Sequence, residues 1–107
     1  MTTYANTSYV AKNVGTSAST LTTVSSGTIA VTSLVVANTT ASPITCDVYI
    51  TRSAVDYYIV KSATVPVGGS LEAIGGNRVV LIASDALKVV SSAASSADVV
   101  VSVLTAV

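Results

Sequence analysis

The sequence predicts an all-β fold, a single-domain antiparallel β-sandwich of about seven or eight strands with jelly-roll or immunoglobulin-like topology. Its 107 residues suit one domain with one core. Half of the residues are apolar, mainly Val, Ala, Ile and Leu, and Val, Ile, Thr and Tyr favour strands. Short apolar segments recur at intervals of about 8–12 residues between turn signals, without helical periodicity.

The stretch from residue 56 to residue 92 shows this pattern most clearly. It contains four apolar segments, at Tyr57–Val65, Leu71–Ile74, Arg78–Ala83 and Ala86–Ser91. The pairs Gly68-Gly69 and Gly75-Gly76 lie at two of the breaks, where glycine adopts positive φ without a steric penalty. Ser84-Asp85 separates two apolar runs by two residues, and this spacing predicts a hairpin.

The flanking parts of the chain supply further strands. Residues 1–19 are polar and small, which fits either an N-terminal arm or an edge strand, and residues 20–107 form the predicted β-sandwich domain. Thr28–Asn38 is apolar on both faces and predicts a central strand covered on both sides. Asp98–Val107 is apolar enough for the middle of a sheet or for cover by another subunit. The remaining strand predictions are Thr20–Val24 and Ile44–Arg52.

The charge content indicates association with other chains. Only 9% of the residues are charged, and the formal net charge is zero. A soluble domain usually has about 25% charged residues, so charge does not keep this chain monomeric. We therefore expect an oligomer or a larger assembly, and the alternative is a monomer coated in Ser and Thr.

The residue types exclude several kinds of catalytic and metal site. With no His and one Cys, the chain has neither a Ser-His-Asp nor a Cys-His constellation, nor a Cys and His zinc site. Cys46 alternates with Ile44, Val48 and Ile50, which predicts a buried core position. The five carboxylates fall in different segments, most of them at turns, so no catalytic pair is expected. We predict a non-enzymatic protein without catalytic residues, cofactor or metal.

Nucleic acid and membrane are not expected partners. The basic residues are scattered one per segment, whereas nucleic-acid binding needs a clustered basic face. The apolar runs are far shorter than the roughly 18 residues that span a bilayer. Residues 1–13 do not resemble a signal peptide, which suggests synthesis in a cytoplasm.

Tyrosines are the candidate interface residues. Tyr57 and Tyr58 are adjacent, so one ring should lie on each face of the strand, and one of them is expected in the core. The other, together with Tyr49, is a candidate interface anchor because Tyr is enriched at interfaces. A purely structural cross-strand pair is the alternative.

Several motifs carry a family resemblance over residues 20–107. They are Val35–Thr39, Asp47–Ile50, the YYIVK run Tyr57–Lys61, Val65–Leu71, Val79–Ser92 and Asp98–Leu104. With these motifs the chain resembles small β-sandwich virion proteins of tailed bacteriophages, which occur in cyanophages among others. One position departs from that pattern, since Ser84 stands where the resemblance leads us to expect glycine before Asp85.

The resemblance implies a structural role on the virion, after synthesis in the host bacterial cytoplasm. It favours a capsid decoration (cement) protein that binds the assembled head and stabilises it, narrowly ahead of a neck, tail or fibre component. The implied partners are copies of itself, as a homo-oligomer with a trimer favoured, and the major capsid protein or other virion proteins. A carbohydrate- or receptor-binding module of the same fold is the alternative from another functional class.

Overall fold

The structure is a computed structural model that describes residues 4–74 and 78–106. It measures 49 × 27 × 21 Å along its principal axes. Its described part forms nine β-strands: β1 (Tyr4–Val14), β2 (Ser19–Thr23), β3 (Thr28–Asn38), β4 (Ile44–Arg52), β5 (Val55–Val65), β6 (Ser70–Glu72), β7 (Val79–Ile82), β8 (Ala86–Ser91) and β9 (Ala97–Ala106).

The strands form two packed antiparallel sheets. One sheet has the order β1-β9-β3, with β6 and β7 each pairing with a different part of β3 on its other side. The second sheet has the order β2-β8-β4-β5. When β6 and β7 are counted as one position, this winding is that of a jelly roll. The predicted all-β sandwich is thus confirmed. Of the two alternatives for the N-terminal residues, an arm or an edge strand, the structure shows an edge strand, β1.

The core fills the space between the two sheets. Strand β9 buries Ala97, Val99, Val101 and Val103 on alternate positions, and β4 contributes Cys46 on its buried face. Burying a Val or Leu side chain stabilises the fold by roughly 1.5–3 kcal/mol each, which makes this apolar layer the main stabilising contribution. Cys46 lies in the core, as its alternation with aliphatic neighbours predicts.

The hairpin predicted at Ser84-Asp85 is wrong. Strand β7 pairs with β3, whereas β8 pairs with β2 and β4, so this turn crosses from one sheet to the other. A two-residue gap matches a hairpin only when both flanking runs belong to one sheet, and sequence spacing does not report sheet membership. The β4–β5 hairpin instead turns at Ser53 and Ala54, whose φ angles of 53° and 62° occur without the usual Asn-Gly pair.

The crossing turn is held by an ion pair that reaches inward. Arg52 donates to the Asp85 carboxylate through Nε at 2.8 Å and through Nη2 at 2.6 Å. The same carboxylate accepts the backbone N–H of Ile82 at 2.9 Å, and its side chain is fully buried. The hydrogen bond from Arg52 lowers the pKa of Asp85, with further help from the Ile82 N–H, while burial opposes the shift. Asp85 therefore fastens the β7–β8 crossing to the end of β4.

Replacing Ser84 with glycine should stabilise the protein. Ser84 has a φ of 74°, in the left-handed region that costs a residue with a Cβ about 1–2 kcal/mol. Glycine removes this cost but also increases the conformational entropy of the unfolded chain, which offsets part of the stabilisation. We therefore expect the free energy of unfolding to rise by about 0.5–1 kcal/mol. Urea unfolding would measure the change, with Ser84→Ala as control. An equal rise for alanine would contradict this account.

Candidate interaction surfaces

The carboxylates serve the fold. Four of the five carboxylates accept backbone N–H groups. Three of the donor residues, Asn13, Leu34 and Ser62, lie beside a register shift or have a positive φ. These pairs are Asp47 with Ser62 N, Glu72 with Leu34 N and Ile74 N, Asp85 with Ile82 N, and Asp98 with Asn13 N, while Asp56 accepts the Thr51 hydroxyl. The sequence did not predict this role, because each partner lies on another strand or across a turn.

Two exposed ion pairs link neighbouring strands, and no metal cluster forms among the described residues. Within residues 4–74 and 78–106, no three side chains of His, Cys, Asp or Glu lie together in a way that could hold a metal ion. Lys12 is 3.0 Å from Asp98, and Lys61 is 3.9 Å from Asp47. No helix of the described chain has the length and apolarity that crossing a bilayer requires.

Tyr49 and Tyr58 form a cross-strand pair on the outer face of the four-stranded sheet. Their ring centroids are 5.1 Å apart, with the planes tilted by 43°. The ammonium of Lys61 lies 4.3 Å from the centroid of the Tyr58 ring, within cation–π range. Tyr49 is only 8% exposed, so its ring mainly contacts neighbours within this chain. Tyr58 offers a partly exposed ring that Lys61 already covers on one side.

Tyr57 lies on the other side of β5, opposite Ile50. Its ring is 56% exposed because β5 is an edge strand, so the expectation that one of the two adjacent tyrosines is in the core is wrong. Tyr57, Ile50 and Arg52 line an open cavity of about 340 Å³. Of the three candidate interface tyrosines, Tyr57 and Tyr58 are accessible, on opposite sides of one strand.

The free edge of β5 is irregular. Its register against β4 shifts twice, between the pairs Cys46–Ala63 and Val48–Val60 and again before Tyr49–Tyr58. Ser62, within the first irregular stretch, has a φ of 54°. Bulges twist an edge strand away from regular pairing and are a common protection against edge-to-edge association. The β5 edge is therefore a poor template for adding another strand.

The outer face of the five-stranded sheet carries several exposed aliphatic side chains, among them Val10, Val80 and Val100. Cross-strand pairing sets its outward residues in three rows. We call them together the valine face. The rows are Val10–Val100–Val35–Glu72, then Ser8–Ser102–Ser33, then Asn6–Leu104–Ala30–Val80. Glu72 is exposed at the β6 edge of the first row, and its carboxylate accepts the Ser33 hydroxyl at 2.8 Å.

Apolar side chains on the valine face are open to solvent. Val10 is 74% exposed, and Val80 and Val100 are each about half exposed. The charged pair Lys12 and Asp98 lies at one end of this face, beyond the first row. Strand β3 is central in its sheet as predicted, but the prediction that it is covered on both sides is wrong for this chain alone. The continuous apolar run at Leu34–Val36 was the sequence signal for this surface.

The single cysteine is not accessible for crosslinking. Cys46 is 2% exposed, and burial, with a smaller contribution from the Asp47 carboxylate, raises the pKa of its thiol. Both effects suppress the thiolate that reacts with disulfides. We expect Cys46 in native protein to react with a thiol reagent such as DTNB only as fast as the fold around it opens. In denatured protein it should react at once. A Thr20→Cys control on the exposed surface should react immediately, whereas rapid labelling of native Cys46 would contradict its burial.

Comparison with known proteins identifies the fold. No family model matches the sequence, and no curated protein does so either. Among solved structures, the chain is similar to one from Bacillus endospore appendages, which form a novel family of disulfide-linked pili. The TM-score is 0.59 at 15% identity, over 97% of this chain and 88% of that one. At this identity the similarity is one of fold.

Proposed function

We propose that this chain is a non-enzymatic structural protein of a tailed-phage virion that binds the assembled head and stabilises it. The observation that carries the proposal is the valine face, a broad and largely aliphatic surface of a two-sheet scaffold, with the charged residues Glu72, Lys12 and Asp98 at its margins. Exposed apolar patches on soluble proteins mark interaction sites. Jelly rolls are recurrent in viral capsid domains, which supports the assignment by analogy of fold.

The stabilising mechanism is thermodynamic linkage. A subunit that binds only the assembled shell lowers the free energy of that state and leaves the disassembled state unchanged. The chain needs a stable scaffold and complementary faces for this work. The carboxylates support such a role because they pin strand irregularities, as Asp98 does at Asn13 and Asp47 at Ser62.

Binding to separated phage heads and tails tests the proposal. Purified labelled protein should bind expanded heads in hundreds of copies and raise their resistance to heat or to a chelator. A handful of copies at the neck or tail, with unchanged head stability, would overturn the decoration role. That outcome would indicate a connector or fibre component.

A subunit of a fibre is the second candidate, favoured by the similarity in fold to a pilus protein. Since Cys46 is buried, any fibre of this chain would be held by non-covalent contacts between folded subunits. Filaments of purified protein seen by electron microscopy under non-reducing and reducing conditions alike would support it. For the carbohydrate-binding alternative, Tyr58→Ala is the informative variant, because Tyr49 is mostly covered.

A further inference from the structure

We propose that the valine face is the surface on which two copies of this chain stack face to face, as a two-fold dimer. The inference goes beyond the proposed function: it assigns the valine face to a second copy of this chain and leaves head binding to the other surfaces of the dimer. Its starting point is β9. The strand buries Val99 and Val101 inside the sandwich and still presents Val100 outward.

A sheet with one face in water normally alternates apolar and polar residues along each strand. The central strands β9 and β3 do not follow this rule. Both direct aliphatic side chains outward, and these lie side by side, with Val100 next to Val35 and Leu104 next to Ala30. Such two-sided apolar strands are typical of sheets covered on both faces.

The order of the three rows is self-complementary. The serine row Ser8–Ser102–Ser33 lies between two rows that are aliphatic at their centres, Val100–Val35 and Leu104–Ala30. A two-fold axis along this row would place the row of Val100 in one copy against the row of Leu104 in the other, with Glu72 at the rim of the contact. The serines would then meet their own counterparts on the axis. A surface that matches itself in this way fits an isologous dimer.

The outer face of the whole five-stranded sheet, with the valine face at its centre, offers enough area for a stable contact. Four strand positions spaced about 4.8 Å apart and strands of about ten residues at about 3.3 Å each give roughly 600 Å² of flat surface. A standard interface removes about 800 Å² of accessible surface from each partner, and side chains in relief make the accessible area larger than the flat one. Two packed sheets would be about 10 Å apart, as within a β-sandwich.

The opposite face of the molecule differs in character. The outer face of the four-stranded sheet carries Asp47, Lys61 and Lys88, with the Tyr49 and Tyr58 pair beside them. Charged residues are depleted at the centres of interfaces, so this face suits solvent. It also supplies a matched control, because Val90 on β8 is an outward valine on an interior strand, as Val100 is on β9.

Analytical ultracentrifugation over a concentration series tests the dimer. We expect wild-type protein to sediment as a dimer, Val100→Lys to raise the dissociation constant at least 100-fold, and Val90→Lys to leave it unchanged. Val100→Thr, which keeps a β-branched side chain, serves if the lysine variant unfolds, and it should weaken the dimer by about tenfold. Thermal unfolding of each variant checks that it is folded.

A crosslinking experiment tests the axis. Ser102→Cys should form a covalent dimer with a short bis-maleimide, whereas Thr20→Cys, on the other sheet, should not. A wild-type monomer at high concentration would overturn the inference, and so would a dimer or trimer unaffected by Val100→Lys. If the monomer binds heads and Val100→Lys abolishes that binding, the face belongs to a shell protein. A dimer that binds no heads would keep this inference and reject the decoration role.

Discussion

Asp85→Ala is expected to lower the free energy of unfolding by about 3 kcal/mol, the largest loss of any single charge deletion in the described chain. The substitution removes both acceptors of Arg52 and the acceptor of the Ile82 N–H. Deleting one partner of a buried pair costs about 3–5 kcal/mol, and we take the lower end because Arg52 is 44% exposed and regains water. Urea unfolding at pH 7 would measure the loss.

The matched control for Asp85 is Asp98→Ala. Asp98 also accepts one backbone N–H and one basic side chain, but its partner Lys12 is 77% exposed and Asp98 itself is partly open. We expect a much smaller loss of stability from this variant, because exposed ion pairs contribute little. Equal losses for the two variants would contradict the structural role given to the buried pair.

The effect of Asp85 should depend on pH in a defined direction. The hydrogen bond from Arg52 lowers the pKa of the folded-state carboxyl below that of the unfolded chain, which is about 3.9. The stabilisation is therefore complete above that value and is lost as pH falls through the folded-state pKa. The stability gap between wild type and Asp85→Ala should stay constant from pH 7 to pH 5 and narrow below pH 4. A gap that widened in acid would contradict this sign.

Asn38→Ala is expected to cost about 3 kcal/mol, because a buried amide with four hydrogen bonds is removed. Its Nδ2 donates to the carbonyls of Ser42 and Val65 at 2.8 and 3.1 Å. Its Oδ1 accepts the backbone N–H and the hydroxyl of Thr40 at 2.9 and 2.8 Å. The side chain is 6% exposed and fixes the β3–β4 loop to the end of β5. Chemical unfolding gives the magnitude.

Two further variants make the Asn38 result specific. Asn6→Ala alters an exposed asparagine on β1 that, like Asn38, is the first residue of an Asn-x-Ser/Thr triplet. This variant should leave the stability nearly unchanged. Asn38→Asp keeps the shape but directs a carboxylate oxygen at two carbonyls. We expect it to be destabilised more at pH 7 than at pH 4, where the carboxyl is partly neutralised. An alanine variant as stable as wild type would show that water replaces the amide.

The predictable part of this fold is the part encoded by period-two alternation. Cys46 among its aliphatic neighbours and the apolar run of β3 gave strand positions close to those in the structure. Alternation reports which side of a strand is buried, but not which strand lies beside it. For this reason the spacing around Ser84-Asp85 predicts a hairpin, whereas the turn joins different sheets.

The surfaces were harder to predict than the strands. Residue type alone makes Tyr57 and Tyr58 interface candidates. The structure exposes both because β5 is an edge strand, and this property is set by pairing between strands that are distant in sequence. The structural carboxylates escaped prediction for a similar reason. Glu72 meets the N–H of Leu34 only once β6 has paired with β3.

The position of β9 has a consequence for how the protein folds during synthesis. It is the ninth strand along the chain, yet it lies between the first and the third. A ribosome adding about 5–20 residues per second therefore holds β1 and β3 without their shared neighbour until β9 emerges. Closure of this sheet must wait for the synthesis of β9, and it then proceeds at the millisecond-to-second rates of folds dominated by contacts distant in sequence. During that interval the two waiting strands present bare edges, and their protection falls to the cell's chaperones.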